Sequence, residues 1–253
     1  MRTLKKPLVF SCAMLPLTVS AVILAVFYQL QLYPSNVIDE AVNQLGSSAV
    51  LIALTTVQGC LIITICCFFG YILADNTGLW RPFYIESDKL LKTLAAGISA
   101  GLVFSLDYWT FGLYEPLIQS SITGSGLSAA GIGAAILYGG IIEELLMRLF
   151  VMSLAAFALW KLCCKEKSKE AIPDAVFIAA NIISSLLFAA GHLPATAAAF
   201  GAITPMLLAR CFLLNGGFGL LFGRLYRKCG IWYAMAGHML VHIVSKAVWL
   251  ILI

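Results

Sequence analysis

Seven stretches of this 253-residue chain are apolar over a length near or above the roughly 20 residues that a helix needs to cross a bilayer. They run at about 8–30, 49–74, 93–113, 126–160, 175–192, 200–223 and 231–253. No other feature constrains the fold as tightly. Backbone in lipid must satisfy its own hydrogen bonds, so only helices and closed barrels cross, and these stretches are too long for barrel strands. The expectation is an all-α polytopic membrane protein of seven to eight transmembrane helices, with residues 1–253 forming a single membrane domain. The fourth stretch, at about 1.5 Å per residue, overruns the hydrocarbon core. Its early part, GLSAAGIGAA, is therefore expected at the interface or as a short helix of its own, which would make the eighth element. The first stretch follows Arg2, Lys5 and Lys6 as a signal peptide would. Its run of about 23 apolar residues and the lack of a small-x-small cleavage site point instead to a retained helix.

Charge orients the spans. Only 11% of the residues are charged, against roughly 25% in soluble domains. Thirteen of the sixteen Lys and Arg residues fall in the N-terminus, residues 75–92, residues 161–170 and residues 224–228. The alternate loops, 31–48, 114–125 and 193–200, contain none. The positive-inside rule makes the basic segments cytoplasmic and, with seven spans, leaves the C-terminus outside. The net charge of +4 thus reports topology, and no basic stripe with interleaved aromatics suggests nucleic acid. The short loops fit a bacterial cytoplasmic membrane. The eight cysteines show no CxxC spacing and lie mostly in apolar stretches, so neither a disulfide framework nor a zinc knuckle is expected.

Function is sought where ionisable residues interrupt apolar spans, because each is expensive there. Those positions are Asp107, Glu143, Glu144, Arg148, His192, Arg210, His238 and His242. Asp107 lies in LDYWTF, whose aromatics read as an interfacial belt, and is expected at the membrane rim; Lys246, near the C-terminus, is expected to snorkel. In IIEELLMR, Glu144 and Arg148 are four residues apart, the spacing of a helical ion pair. Glu143 is rotated by about 100° from that face and is left free to face a cavity. A clamp made of all three residues between helices is the structural alternative. His192 sits between Gly191 and Pro194, where the helix is expected to end or bend and present the imidazole. His238 and His242 share a face at i,i+4, the spacing of two metal-ligating imidazoles or of an interhelical packing pair. Gly97/Gly101 and Gly219/Gly223 have the spacing of close helix packing.

Taken in order, Glu143, Glu144 and Arg148 (EExxxR), Phe188 and His192 (FxxxH), and His238 opening an HxxxN-like motif resemble the CPBP or Abi family of intramembrane endopeptidases, which includes the type II CAAX prenyl proteases. The resemblance covers about residues 125–245, which it makes the catalytic core, with residues 1–124 as N-terminal helices outside it. It implies Glu143 as general base, His192 as its partner, His238 and the residue at 242 as oxyanion stabilisers, and Glu144, Arg148 and Phe188 as supporting residues. The chain departs from the pattern at His242, where the family carries Asn or Asp. Imidazole can donate a hydrogen bond as Asn does, but His192, His238, His242 and Glu143 would also make a zinc ligand set. The expected cofactor is accordingly none, or a divalent metal such as zinc. The implied partner is a membrane-associated peptide or lipidated protein in the bilayer. A prenylated substrate would come from the cytoplasm, whereas charge puts the start of the fourth span and the end of the fifth outside. Three other readings of the same residues stay open: a proton-coupled transporter, a bis-histidine haem protein, and a degenerate protease serving as scaffold or immunity protein.

Overall fold

The computed structural model describes residues 4–253; Arg2 lies outside them. Among the described residues there is no strand, and seven helices are long and apolar enough to cross a membrane: span 1 (Lys5–Leu32), span 2 (Ser48–Thr77), span 3 (Ser87–Tyr114), span 4 (Ala129–Cys163), span 5 (Asp174–Phe200), span 6 (Pro205–Cys229) and span 7 (Ile231–Leu252). The count is seven. GLSAAGIGAA does not lie apart as an eighth element, because a 3-10 turn at Ser125–Leu127 leads into Ala129, from which span 4 runs unbroken. Short helices at Ser35–Leu45 and Pro116–Thr123 fill two of the loops without basic residues.

Local chemistry sets the breaks. Gly46, Gly78 and Gly230 end helices at φ of 87°, 77° and 105°, backbone that L side chains adopt only with strain. Ser47 and Thr204 cap the next helices, each accepting a 3.2 Å bond from the amide three residues on. Leu54, Val57, Leu61 and Ile65 of span 2 stay exposed in one stripe, which in a bilayer is the lipid face. Span 7 packs against spans 3 and 4, and span 2 against spans 1 and 4.

Small residues decide how closely these helices approach. A Cβ at Gly97 would lie 2.9 Å from the carbonyl oxygen of Gly237, and one at Gly101 2.7 Å from Val244. Spans 3 and 7 therefore touch backbone to backbone, as the GxxxG spacing predicts. Span 4 departs from α geometry where it meets span 7. Ala135–Ile142 and Leu145–Met152 are π-helical, with Glu143 and Glu144 between them. Such widened turns concentrate at functional sites.

Candidate intramembrane active site

Glu144 and Arg148 are buried completely, at 0% and 1% exposure, so their charges must be answered by protein. Arg148 Nη1 lies 3.3 Å from Glu144 Oε1. The hydrogen bond to that oxygen, however, comes from span 7, where His238 Nδ1 is 2.9 Å away. Arg148 Nη2 donates to the carbonyl of Gly219 in span 6 at 3.0 Å. The guanidinium lies 4.7 Å from the Phe188 ring centroid and 5.7 Å from that of Phe222, and Phe222 stacks on His238 at 4.2 Å. The intrahelical pair expected at i,i+4 is thus one arm of a knot joining spans 4, 5, 6 and 7. A ring face and a carbonyl dipole partly replace the water that a buried guanidinium loses.

Glu143 turns away from this knot. Its Oε1 is 3.7 Å from His192 Nε2, with side chains 19% and 32% exposed. The exposure is to a cavity of about 540 Å³ that both residues line together with His238 and His242. Span 5 breaks where it was expected to: the regular helix ends at Gly191, His192 is its cap, and a short helix resumes at Leu193. His192 Nδ1 is 2.8 Å from the Phe188 carbonyl oxygen. A carbonyl only accepts, so Nδ1 carries a proton and Nε2 is the atom presented to Glu143. Phe188 meets the His192 ring edge-on at 4.6 Å and so supports both His192 and Arg148.

The third wall is span 7, whose His238 and His242 rings stack 5.0 Å apart at 26°. Gly139 makes room for His242, since a Cβ there would come 2.7 Å from His242 Nε2, and one at the neighbouring Gly140 would collide with Met239. His242 Nδ1 is buried without a partner, and no hydrogen bond engages Nε2 of either ring among the described residues. Two near-parallel rings on one helix do not oppose each other as axial haem ligands would. Among the described residues, no three His, Cys, Asp or Glu side chains are grouped to hold a metal ion. Nδ1 of His192 and Nδ1 of His238 are committed to Phe188 and Glu144, which leaves Nε2 as the free nitrogen of each ring.

Two residues assigned to the membrane rim lie inside. Asp107 is 2% exposed and forms a two-pronged pair with Arg210, Nε to Oδ1 at 2.8 Å and Nη2 to Oδ2 at 2.5 Å. The aromatic surroundings that suggested an interface are the satellite core formed by Ile118, Ile122, Leu207 and Trp249. Lys246 turns toward protein: its ammonium donates to the Gly126 carbonyl at 2.8 Å and lines the same cavity. Its place at i+4 from His242 was legible as a face, but proximity to the C-terminus outweighed it. Gly139 and Phe222 were missed because residues that shape or pad a site look like any other residue of an apolar helix, and Gly219, read for its packing spacing, also offers its carbonyl to Arg148.

The cavity runs from the Glu143 level to helix ends at Tyr33, Ser121 and Phe200. These ends adjoin the loops without Lys or Arg, so the mouth lies on the face opposite the basic segments.

Residues 125–244 match the family model described as Rce1-like, type II CAAX prenyl endopeptidase. The matched stretch is 120 of the chain's 253 residues, so the likeness belongs to this core alone. The match spans the knot, the His192 bend and both span 7 histidines, and leaves spans 1–3 outside. It agrees with the resemblance read from EExxxR, FxxxH and HxxxN, and likens this core to CAAX-type intramembrane endopeptidases. No curated protein and no solved structure gives a match.

Proposed function

We propose that the chain hydrolyses a peptide bond of a membrane-associated, carboxyl-terminally lipidated peptide, using a water activated by Glu143 and His192. One observation carries the reading. Of two adjacent acids inside span 4, Glu144 is buried and consumed by His238 and Arg148, while Glu143 faces His192 across 3.7 Å at the wall of a cavity. That gap is too wide for a direct hydrogen bond and suits a bridging water.

In this mechanism the water donates to the Glu143 carboxylate and to His192 Nε2. It attacks the scissile carbonyl as Glu143 takes its proton, and Glu143 then returns that proton to the leaving amine. Negative charge develops on the former carbonyl oxygen. His238, held by Glu144 through Nδ1, in its doubly protonated form has an Nε2–H to offer that oxygen, and His242 supplies a second donor where relatives carry Asn or Asp. Preorganised donors in a water-poor site contribute about 3–4 kcal/mol each to such a step. Each step of this mechanism proceeds through side chains.

The test is cleavage of a quenched fluorescent S-farnesyl peptide by the purified full chain in nanodiscs. Glu143→Gln and Glu143→Ala are expected to abolish turnover while leaving thermal unfolding unchanged. Undiminished cleavage by either variant would overturn the assignment.

A further inference from the structure

Span 2 stands apart from the rest of the bundle. Each of the other six spans gives at least one side chain to the cavity, and among the described residues span 2 gives none. Of its most apolar stretch 11% is buried within the chain, against 28–39% in the other six. One side of it is held: Ile63, Cys67 and Ala74 are buried, and a Cβ at Gly70 would lie 2.9 Å from the Leu149 carbonyl oxygen of span 4. The opposite side carries Leu51, Leu54, Gln58, Leu61, Ile65 and Phe68, none of them buried. In one copy alone that side meets lipid.

Gln58 is out of place there. It lies ten residues along from Ser48, where the helix starts, a depth of about 15 Å. Glutamine has no long stem with which to reach back to water. Gln58 is exposed and forms no hydrogen bond among the described residues. An amide bare in hydrocarbon is costly, because its two donors and its carbonyl oxygen all lack partners. The residues around it follow at alternating steps of three and four, the heptad spacing of a helix–helix seam. Leu51, Gln58 and Ile65 take the a positions, and Leu54, Leu61 and Phe68 the d positions. A single polar residue among apolar a positions fixes register and partner number in such seams.

We propose that this side of span 2 is the contact surface of a homodimer, closed by a pair of hydrogen bonds between the Gln58 amides of the two copies. The basic segments give every copy the same orientation in the bilayer, so two span 2 helices meet in parallel. In a parallel seam each a position faces its own copy, which brings Gln58 to Gln58. The partial charges then match without any other residue: across a two-fold axis along the bilayer normal, each amide N–H donates to the carbonyl oxygen of the other. Polar side chains join helices in membranes in this way. A partner of different sequence would have to supply its own amide at that depth, whereas a second copy always does. Each copy keeps a complete site, since span 2 contributes nothing to it, and the inference goes beyond the protease reading without resting on it.

Two measurements test it, neither of which involves cleavage. Full chains labelled at the N-terminus with a donor or an acceptor fluorophore are reconstituted together into phosphatidylcholine vesicles, and energy transfer is followed as lipid is added. Transfer is expected to exceed that between the chain and an unrelated membrane protein at the same density. Gln58→Leu is expected to require about tenfold more protein per lipid for half-maximal transfer, and Gln58→Asn to stay within about threefold of wild type. Transfer at the level of the unrelated protein overturns the dimer and leaves lipid as the occupant of this side; a Gln58→Leu chain that associates as well as wild type overturns the amide pair. The surface is located by disulfide formation in a chain whose unburied native cysteines, Cys12, Cys60, Cys163 and Cys164, are replaced by Ser. Leu54→Cys is expected to cross-link two copies on mild oxidation. Ala53→Cys, exposed at the same depth but turned about 100° away, is expected not to. Equal cross-linking at the two positions, or none at either, overturns span 2 as the contact.

Discussion

Glu143 and Glu144 are neighbours in sequence, yet their removal should have opposite consequences. Glu144→Ala leaves Arg148, 1% exposed, with one carbonyl and two ring faces but no countercharge, and deprives the His238 ring of its one hydrogen bond among the described residues. Breaking a buried ion pair from one side costs about 3–5 kcal/mol. For a chain of this size, by the scaling of soluble proteins, that lowers the melting temperature by about 6–20 °C. Glu143→Ala removes a carboxylate that touches the cavity and meets His192 only at 3.7 Å, which costs about 0–1 kcal/mol. Unfolding can be followed in detergent with a thiol-reactive fluorophore, because Cys67 and Cys211 are buried at 0% and 2% and become reactive only when the helices part. Cys12 and Cys163, exposed in the folded protein, set the baseline. The variant Glu144→Ala with Arg148→Met, which removes the stranded cation, should melt closer to wild type than Glu144→Ala alone. A Glu144→Ala protein as stable as wild type, or a Glu143→Ala protein as unstable as Glu144→Ala, would refute this division of labour.

Two other outcomes follow from the geometry. A Cβ at Gly139 would sit 2.7 Å from His242 Nε2, so Gly139→Ala displaces that imidazole by a large fraction of an ångström. Turnover of the farnesyl peptide should fall about 10²-fold; unchanged turnover would remove His242 from the oxyanion site. The cavity mouth is expected opposite the basic loops. In chains with one cysteine each, a membrane-impermeant maleimide should label Thr123→Cys from outside intact cells and native Cys163 only after the inner face is opened, and the reverse pattern would invert the assigned topology.

Seven spans were legible because burial in lipid leaves the backbone one economical solution; the break expected at 193–200 lies instead at 201–204, because a short helix over Leu193–Phe200 carries span 5 past the His192 bend. The bend at His192 was legible from local chemistry: Gly191 and Pro194 act within a few residues of it. So was the separation of Glu143 from the Glu144–Arg148 pair, since helical phase alone turns adjacent side chains about 100° apart. The partners of Asp107 and Lys246 were not legible because Arg210 and Gly126 are 103 and 120 residues away along the chain. No local pattern encodes such a distance.

Sequence by itself determined that this is a helical membrane protein, which segments face the same side, and which ionisable residues are too costly to be incidental. Only the tertiary structure decided how those charges are matched. It gave Glu144 to His238 as well as Arg148, paired Asp107 with Arg210, and left Glu143 and Lys246 at two levels of one cavity. The physical reason is that helix periodicity is set by neighbours along the chain. Pairing of charges inside a bilayer is set by which helices approach closely enough to replace water, and glycines such as Gly97, Gly101, Gly139 and Gly140 fix that approach.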